Sequence, residues 1–150
     1  MVTYVKGDAT KPQGDGPKII AHVCNDIGGW GAGFVLALNK MSAKPQQAYR
    51  TTFKYRRTPF LPLGTMEMVN VENGKLYVAN MVAQHGTVSQ LNPKPISYIA
   101  LEASLKQVAE WIDDWEPTAT VHMPRIGCGL AGGNWTVVES IINRTLTLRD

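Results

Sequence analysis

The chain has 150 residues, 44 % of them apolar and 18 % charged, and a formal charge of 15 − 12 = +3. That is the length of one domain with enough apolar side chain to bury a core, so a disordered chain is excluded, and the charge is too mild to mark a nucleic-acid binder. No apolar run reaches the roughly 18 residues of a membrane span, no signal-like core follows the first residues, and two cysteines are too few for a disulfide scaffold; a cytoplasmic protein is expected.

Residues 3–6 read as a first short strand, ended by Gly7 and Asp8. A loop with Pro12, Gly14, Gly16 and Pro17 follows, then a continuous apolar strand over 18–23, the pattern of a strand buried on both faces. Residues 25–33 form a glycine-rich loop that opens a helix over 34–41. Pro45 suits the first turn of a second helix, whose Tyr49 and Phe53 lie four apart and face the core. Strands over 65–71 and 75–81 flank Glu72-Asn73-Gly74, and Asn-Gly is a hairpin signal because both residues accept positive φ. A polar loop spans 84–95. Tyr98, Leu101, Leu105, Val108, Ile112 and Trp115 recur at helical spacing and form one buried stripe, with Trp111 at its edge. A buried strand is expected over 120–123, a second glycine-rich loop over 124–134, a helix over 135–144 and a last strand at 146–148. Strands alternating with helices predict an α/β fold: a three-layer α/β/α sandwich on a mixed central sheet, one domain over 1–150.

The loops at 25–33 and 127–133 share a design, because each leaves a buried strand and enters a helix. Ligands of α/β proteins bind at the carboxyl ends of strands, and a glycine-rich strand-to-helix turn offers backbone N–H groups and a helix dipole to phosphate. Two such loops suit a diphosphate. There is no Gly-Lys-Ser/Thr, which excludes a P-loop NTPase. Gly127-Cys-Gly129-Leu-Ala-Gly132 matches G-x-G-x-x-G, but a dinucleotide unit needs about 20 further residues to reach its acidic ribose contact, and the sequence reaches Asp150 first. The oxidoreductase reading is set aside on that ground.

Tyr4-Val-Lys-Gly-Asp8, His22-Val-Cys-Asn25, Gly28-Gly-Trp-Gly-Ala-Gly33 and Met123-Pro-Arg-Ile-Gly-Cys-Gly-Leu-Ala-Gly-Gly133 resemble macrodomain signatures in order and spacing. The branch they resemble contains ADP-ribose-1″-phosphate phosphatases and terminal ADP-ribose glycohydrolases. The resemblance implies an ADP-ribose ligand on a mixed sheet, and no cofactor or metal. It implies that Asp8, with Ala9 beside it, accepts the adenine amino group and that Asn25 contacts the distal ribose. It places Gly31, Ala32 and Gly33 near the distal ribose and diphosphate, and Gly127, Cys128, Gly129, Leu130 and Ala131 on the diphosphate. His22 matches a histidine of the phosphatase branch. Two departures stand out. Covalent glycohydrolases place a lysine where this chain reads Ala83-Gln84-His85, and an aspartate where it has Ala131.

The expected function is hydrolysis of ADP-ribose 1″-phosphate, with His22, Asn25 and Asp26 as catalytic residues and Trp30 and Gln84 among the ligand contacts. Asp26 alternatively caps its turn, Trp30 alternatively packs in the core, and His85 stands with Gln84 as a residue able to reach ligand. His22-x-Cys24 with His85 or His122 matches no standard zinc spacing. Alternative functions are removal of ADP-ribose from protein, nucleic acid or O-acetyl-ADP-ribose, or ADP-ribose binding without catalysis. The expected partners are the small-molecule ligand and an ADP-ribosylated macromolecule, with no membrane, for a chain acting as a monomer. Lys44, Arg50, Lys54, Arg56 and Arg57 form a basic stretch, read as a solvated helix face or an attraction for such a macromolecule.

Overall fold

The computed structural model describes residues 2–129 and 131–147. Its elements in chain order are β1 (Lys18–Asn25), α1 (Phe34–Met41), α2 (Lys44–Lys54), β2 (Met66–Glu72), β3 (Leu76–Gln84), α3 (Tyr98–Trp115), β4 (Thr120–His122) and α4 (Trp135–Ile142), followed by a π-helical turn at Asn143–Thr147. The sheet runs β2-β3-β1-β4; β1 is parallel to β3 and β4, and β2 is antiparallel to β3. The mixed sheet is as expected.

Side chains alternate along the two central strands, and each set meets its own pair of helices. Ile19, Ala21, Ala79, Met81 and Ala83 pack with residues of α3 and α4, including Leu101, Leu105, Val108 and Val138. Ile20, Cys24, Val78 and Val82 pack with Val35 and Leu38 of α1 and Tyr49 of α2. These are the two outer layers of the sandwich. Both central strands are buried on both faces, which explains their unbroken apolar sequences.

Local chemistry sets the boundaries. The β2–β3 hairpin turns through Asn73 (φ 38°) and Gly74 (φ 78°), with Lys75 N–H donating to Glu72 O at 2.6 Å. Ser97 caps α3 by accepting from Ala100 N–H, and Asn134 caps α4 by accepting from Thr136 N–H. Pro45 sits in the first turn of α2, where no N–H is needed.

Five expectations are corrected. Among the described residues, 3–6 join no sheet: Tyr4 and Val5 are 55 % and 84 % exposed, and β-favouring side chains without a ladder or a core to bury in stay irregular. β4 is half-exposed rather than buried: among the described residues it pairs with β1 and with no other strand. The last helix ends at Ile142 rather than 144, and the strand expected at 146–148 is replaced, in its described part, by the π-helical turn. There the buried Thr145 hydroxyl donates back to Ile141 O at 2.7 Å, which holds the chain in a helical path; residue 148 lies outside the described residues. Trp115 is 71 % exposed at the end of α3, so the buried stripe stops at Ile112. Trp111 packs edge-on against Tyr77, with ring centroids 4.7 Å apart. Cys24 and Cys128 are free thiols.

Candidate functional site

The carboxyl ends of β1 and β3 lie side by side at the centre of the sheet, with Asn25 opposite Gln84. The first glycine-rich loop leaves β1 there and turns into α1 through Gly33, at φ 79° and ψ −145°. No side chain caps α1. Among the described residues, the N–H groups of Gly31, Ala32 and Gly33 have no acceptor, and all three residues are exposed. An open helix N-terminus and a run of unpaired N–H groups are features that favour an anion.

Asn25 shapes this loop from inside. Its Oδ1 accepts from Ile27 N–H at 3.1 Å and Gly29 N–H at 2.9 Å, and its Nδ2 donates to Gly29 O at 2.9 Å. The Tyr49 hydroxyl lies 2.7 Å from Asn25 O and 2.8 Å from Asn25 Oδ1, and accepts from Gly28 N–H at 3.0 Å. A ring of neighbours closes the loop's underside: a Cβ at Gly28 would stand 2.7 Å from the Phe53 ring, and one at Gly29 would stand 2.8 Å from Asn25 Nδ2. Only glycine fits at both. The resemblance put Asn25 on the distal ribose; the structure engages its side chain within the loop.

His22 lies beneath the loop and is 2 % exposed. Its ring meets Trp30 edge-on at 5.3 Å and Phe34 at 6.1 Å, and Cys24 Sγ is 3.9 Å from its Nε2. Asn80 Nδ2 donates to Pro45 O at 3.0 Å, which turns Asn80 Oδ1 toward His22 Nε2 at 2.6 Å. Nε2 therefore carries the hydrogen, and Nδ1 is a buried lone pair with no partner among the described residues. Burial pushes the His22 pKa down to about 4, against a smaller opposing effect of the Asn80 hydrogen bond. A neutral, enclosed ring has no route to a ligand in this arrangement, so the structure makes His22 a support of the strand end. Burial likewise pushes the Cys24 thiol far up.

Trp30 also turns inward. It is 7 % exposed, its Nε1 donates to Asn39 Oδ1 at 2.9 Å, and its ring packs on Tyr49. The core alternative holds for it. Asp26 is 2 % exposed, and its two oxygens hold separate partners: Oδ1 accepts from Gly86 N–H at 2.8 Å, and Oδ2 lies 2.8 Å from His85 Nδ1. His22 and Asp26 thus belong to different networks. Gln84 is half-buried, and its Nε2 donates to Gly86 O at 2.9 Å.

The second loop is folded on itself. Gly132 N–H donates to Gly129 O at 3.1 Å and Gly133 N–H to Gly127 O at 2.7 Å, with Gly127 and Gly132 at φ 73° and 75°. A Cβ at Gly133 would run into the Gly127 carbonyl. Gly129 is exposed, with open space where a side chain would begin. Cys128 is half-buried, and burial raises its thiol pKa. Ala131 is buried, its carbonyl accepting from Ile96 N–H at 3.2 Å, so its side chain belongs to the core. Leu130 lies outside the described residues.

Asp8 is exposed, with Ala9 half-buried next to it. Asp8 Oδ1 accepts from the Thr10 hydroxyl at 2.6 Å and from Thr10 N–H at 2.9 Å, and these bonds hold the carboxyl below its ordinary pKa. Among the described residues, its second oxygen has no hydrogen-bond partner. On the far side, Trp135 Nε1 donates to the Tyr4 hydroxyl at 3.1 Å, and the Arg125 guanidinium lies 5.2 Å from the Trp135 ring. The basic residues of α2 and the turn after it are exposed, and Arg56 stacks on Phe53 at 3.7 Å.

No protein-family model matches the chain. A macrodomain protein from Streptomyces coelicolor is 46 % identical in sequence; the match covers 98 % of this chain and 92 % of that one, with a TM-score of 0.83. The chain belongs to the macrodomain family. This macrodomain is also 33 % identical over 156 residues to the chromodomain-helicase-DNA-binding protein 1-like of Mus musculus, covering 99 % of its own length but 17 % of that protein's. It is 25 % identical over 162 residues to the ADP-ribose 1″-phosphate phosphatase of Meyerozyma guilliermondii, covering 95 % of its own length and 93 % of the relative's. Among the described residues of this macrodomain, no helix is long and apolar enough to cross a membrane.

Sequence reasoning missed three parts of the site. Asn80 and Tyr49 fix the strand end and the loop, and Asp26 reaches across to His85. These partners lie 58, 24 and 59 residues apart, respectively, and no local motif joins them.

Proposed function

We propose that this macrodomain binds ADP-ribose derivatives and hydrolyses ADP-ribose 1″-phosphate to ADP-ribose and inorganic phosphate. The observation that carries the reading is the open N-terminus of α1, where the N–H groups of Gly31, Ala32 and Gly33 lack acceptors at the carboxyl end of β1. The full-length likeness to a phosphatase of this substrate supports the same reading. In it, the free oxygen of Asp8 accepts the adenine amino group, and the glycine loops face the diphosphate. Binding energy from these remote groups orients the terminal phosphate, and fixed backbone dipoles stabilise charge that develops on it. Asn25 keeps the first loop in shape, and His22 keeps the strand end beneath it rigid. The region Ala83-Gln84-His85 and Ala131 supply neither a lysine nucleophile nor an acidic partner, so a direct attack by water fits better than a covalent intermediate.

The test is a substrate panel. ADP-ribose 1″-phosphate, O-acetyl-ADP-ribose, an ADP-ribosylated peptide and ADP-ribosylated DNA are incubated with purified protein. The expected result is turnover of the first substrate. Turnover confined to the others would replace the phosphatase reading with de-ADP-ribosylation. Calorimetric ADP-ribose binding with no turnover of any would leave a binding module.

A further inference from the structure

We infer that Asp26 and His85 form the proton-transfer pair of this site, with Asp26 positioning the ring and His85 Nε2 taking a proton from the attacking water. The inference rests on the phosphatase reading and names the base that it needs. Asp26 directly follows Asn25 at the end of β1, and His85 directly follows Gln84 at the end of β3, so the pair bridges the two central strands at their carboxyl edge.

The pair is built unevenly. The Asp26 side chain is 2 % exposed, whereas that of His85 is 59 % exposed. A buried carboxylate must hold donors, and this one holds two: Gly86 N–H on Oδ1 and His85 Nδ1 on Oδ2, each at 2.8 Å. Donating Nδ1–H to the Asp26 carboxylate fixes the tautomer and leaves the ring's lone pair at Nε2. Among the described residues, Nε2 has no hydrogen-bond partner, and Asp26 is the titratable group in contact with the ring.

The ring is also held in orientation. Phe60 meets it edge-on at 5.2 Å and 81°. His85 N–H donates to Pro95 O at 2.9 Å, and Asn92 Nδ2 donates to His85 O at 2.8 Å. Leu61 N–H donates to Asp26 O at 2.9 Å, which ties the Phe60 segment to the same centre. A histidine that merely capped the loop would not need its free nitrogen turned outward and its ring clamped from a second element.

The step balances simply. The water oxygen bonds to phosphorus while His85 Nε2 takes one water proton. The bond between phosphorus and the sugar oxygen breaks, its electron pair leaves with that oxygen, and the oxygen takes a proton from solvent. His85 then returns its proton to solvent, and the products are ADP-ribose and hydrogen phosphate.

Steady-state phosphate release across pH tests the role, using His85→Ala, His85→Gln, Asp26→Asn and the control His122→Ala. Replacing His85 is expected to lower kcat by about a hundredfold or more, with KM changed less than about threefold, and to remove a limb of the pH profile. Asp26→Asn offers an amide N–H to Nδ1, reverses the tautomer, and is expected to lower kcat and displace that limb. Melting curves check folding, and His85→Gln leaves the Asp26–Gly86 bond in place if Asp26→Asn does not fold. Full activity in both His85 variants would overturn the inference. If the wild-type protein releases no phosphate, the phosphatase reading fails, and imidazole ¹⁵N resonances judge the pair separately. Saturating ADP-ribose is expected to move the His85 signals and leave those of His122 in place; unmoved His85 signals would overturn the inference.

Discussion

The Tyr49 hydroxyl stands 2.7 Å from the backbone oxygen of Asn25 and 2.8 Å from its Oδ1, so a residue of α2 holds the end of β1 and the start of the first loop together. The same oxygen accepts Gly28 N–H. Tyr49→Phe keeps the ring and removes all three contacts. It should cost about 1–3 kcal/mol in urea denaturation, because buried polar groups lose their partner. Affinity for ADP-ribose should fall with it, measured by calorimetry. An unchanged denaturation midpoint would show that the hydroxyl does not hold the loop.

His22 makes stability depend on pH. Its pKa falls from 6.5 to about 4 in the folded protein, so between these values the unfolded chain binds more protons. The contribution is complete above the unfolded pKa and is lost as pH falls toward the folded one. Between about pH 7 and about pH 4.5, wild type should lose about 2 kcal/mol more than His22→Gln, which has no such group to protonate. Denaturation curves at both pH values measure the difference. Equal losses would mean that His22 is not buried neutral.

Two glycine substitutions should separate shape from ligand contact. Gly133→Ala drives a Cβ into the Gly127 carbonyl and should destabilise the protein by about 1–3 kcal/mol. Gly31→Ala meets nothing within 4 Å and should change stability by less than about 0.5 kcal/mol. It should nevertheless weaken ADP-ribose binding, because the added methyl group sits where backbone N–H groups meet the phosphate. Melting curves and calorimetry on both variants check the contrast. Unchanged ADP-ribose affinity in Gly31→Ala would remove the first loop from the binding surface.

Asp8 should select the base. Wild type is expected to bind ADP-ribose better than its inosine analogue by about tenfold, the value of about 1.4 kcal/mol for one charge-assisted hydrogen bond. Asp8→Ala should bind the two alike. A preference that survives the substitution would place adenine recognition elsewhere.

Much of the fold was legible because its signals are local. Asn73-Gly74 marked the hairpin, Gly33 and Phe34 marked the start of α1, and the stripe from Leu101 to Ile112 marked α3. The two loops were legible from glycine density and from their place after strands. What stayed hidden depends on which strands become neighbours. Residues 3–6 carry β-favouring side chains but find no ladder among the described residues. His22 and Asp26 were both candidate catalytic residues, and the pleat and the turn of the loop send them apart: His22 into the core toward Asn80, and Asp26 across to His85. Burial of Asn25 and Ala131 was equally invisible, since both residue types occur at ligand sites and in interiors alike.

The central claim is hydrolysis at the terminal phosphate, and ³¹P nuclear magnetic resonance reads it directly. ADP-ribose 1″-phosphate is mixed with catalytic amounts of the wild-type protein, and the phosphorus signals are followed in time. The account predicts that the phosphomonoester signal is replaced by an equal amount of inorganic phosphate while the two diphosphate signals persist. A phosphomonoester signal that stays constant, under conditions where ADP-ribose is shown to bind, would contradict it.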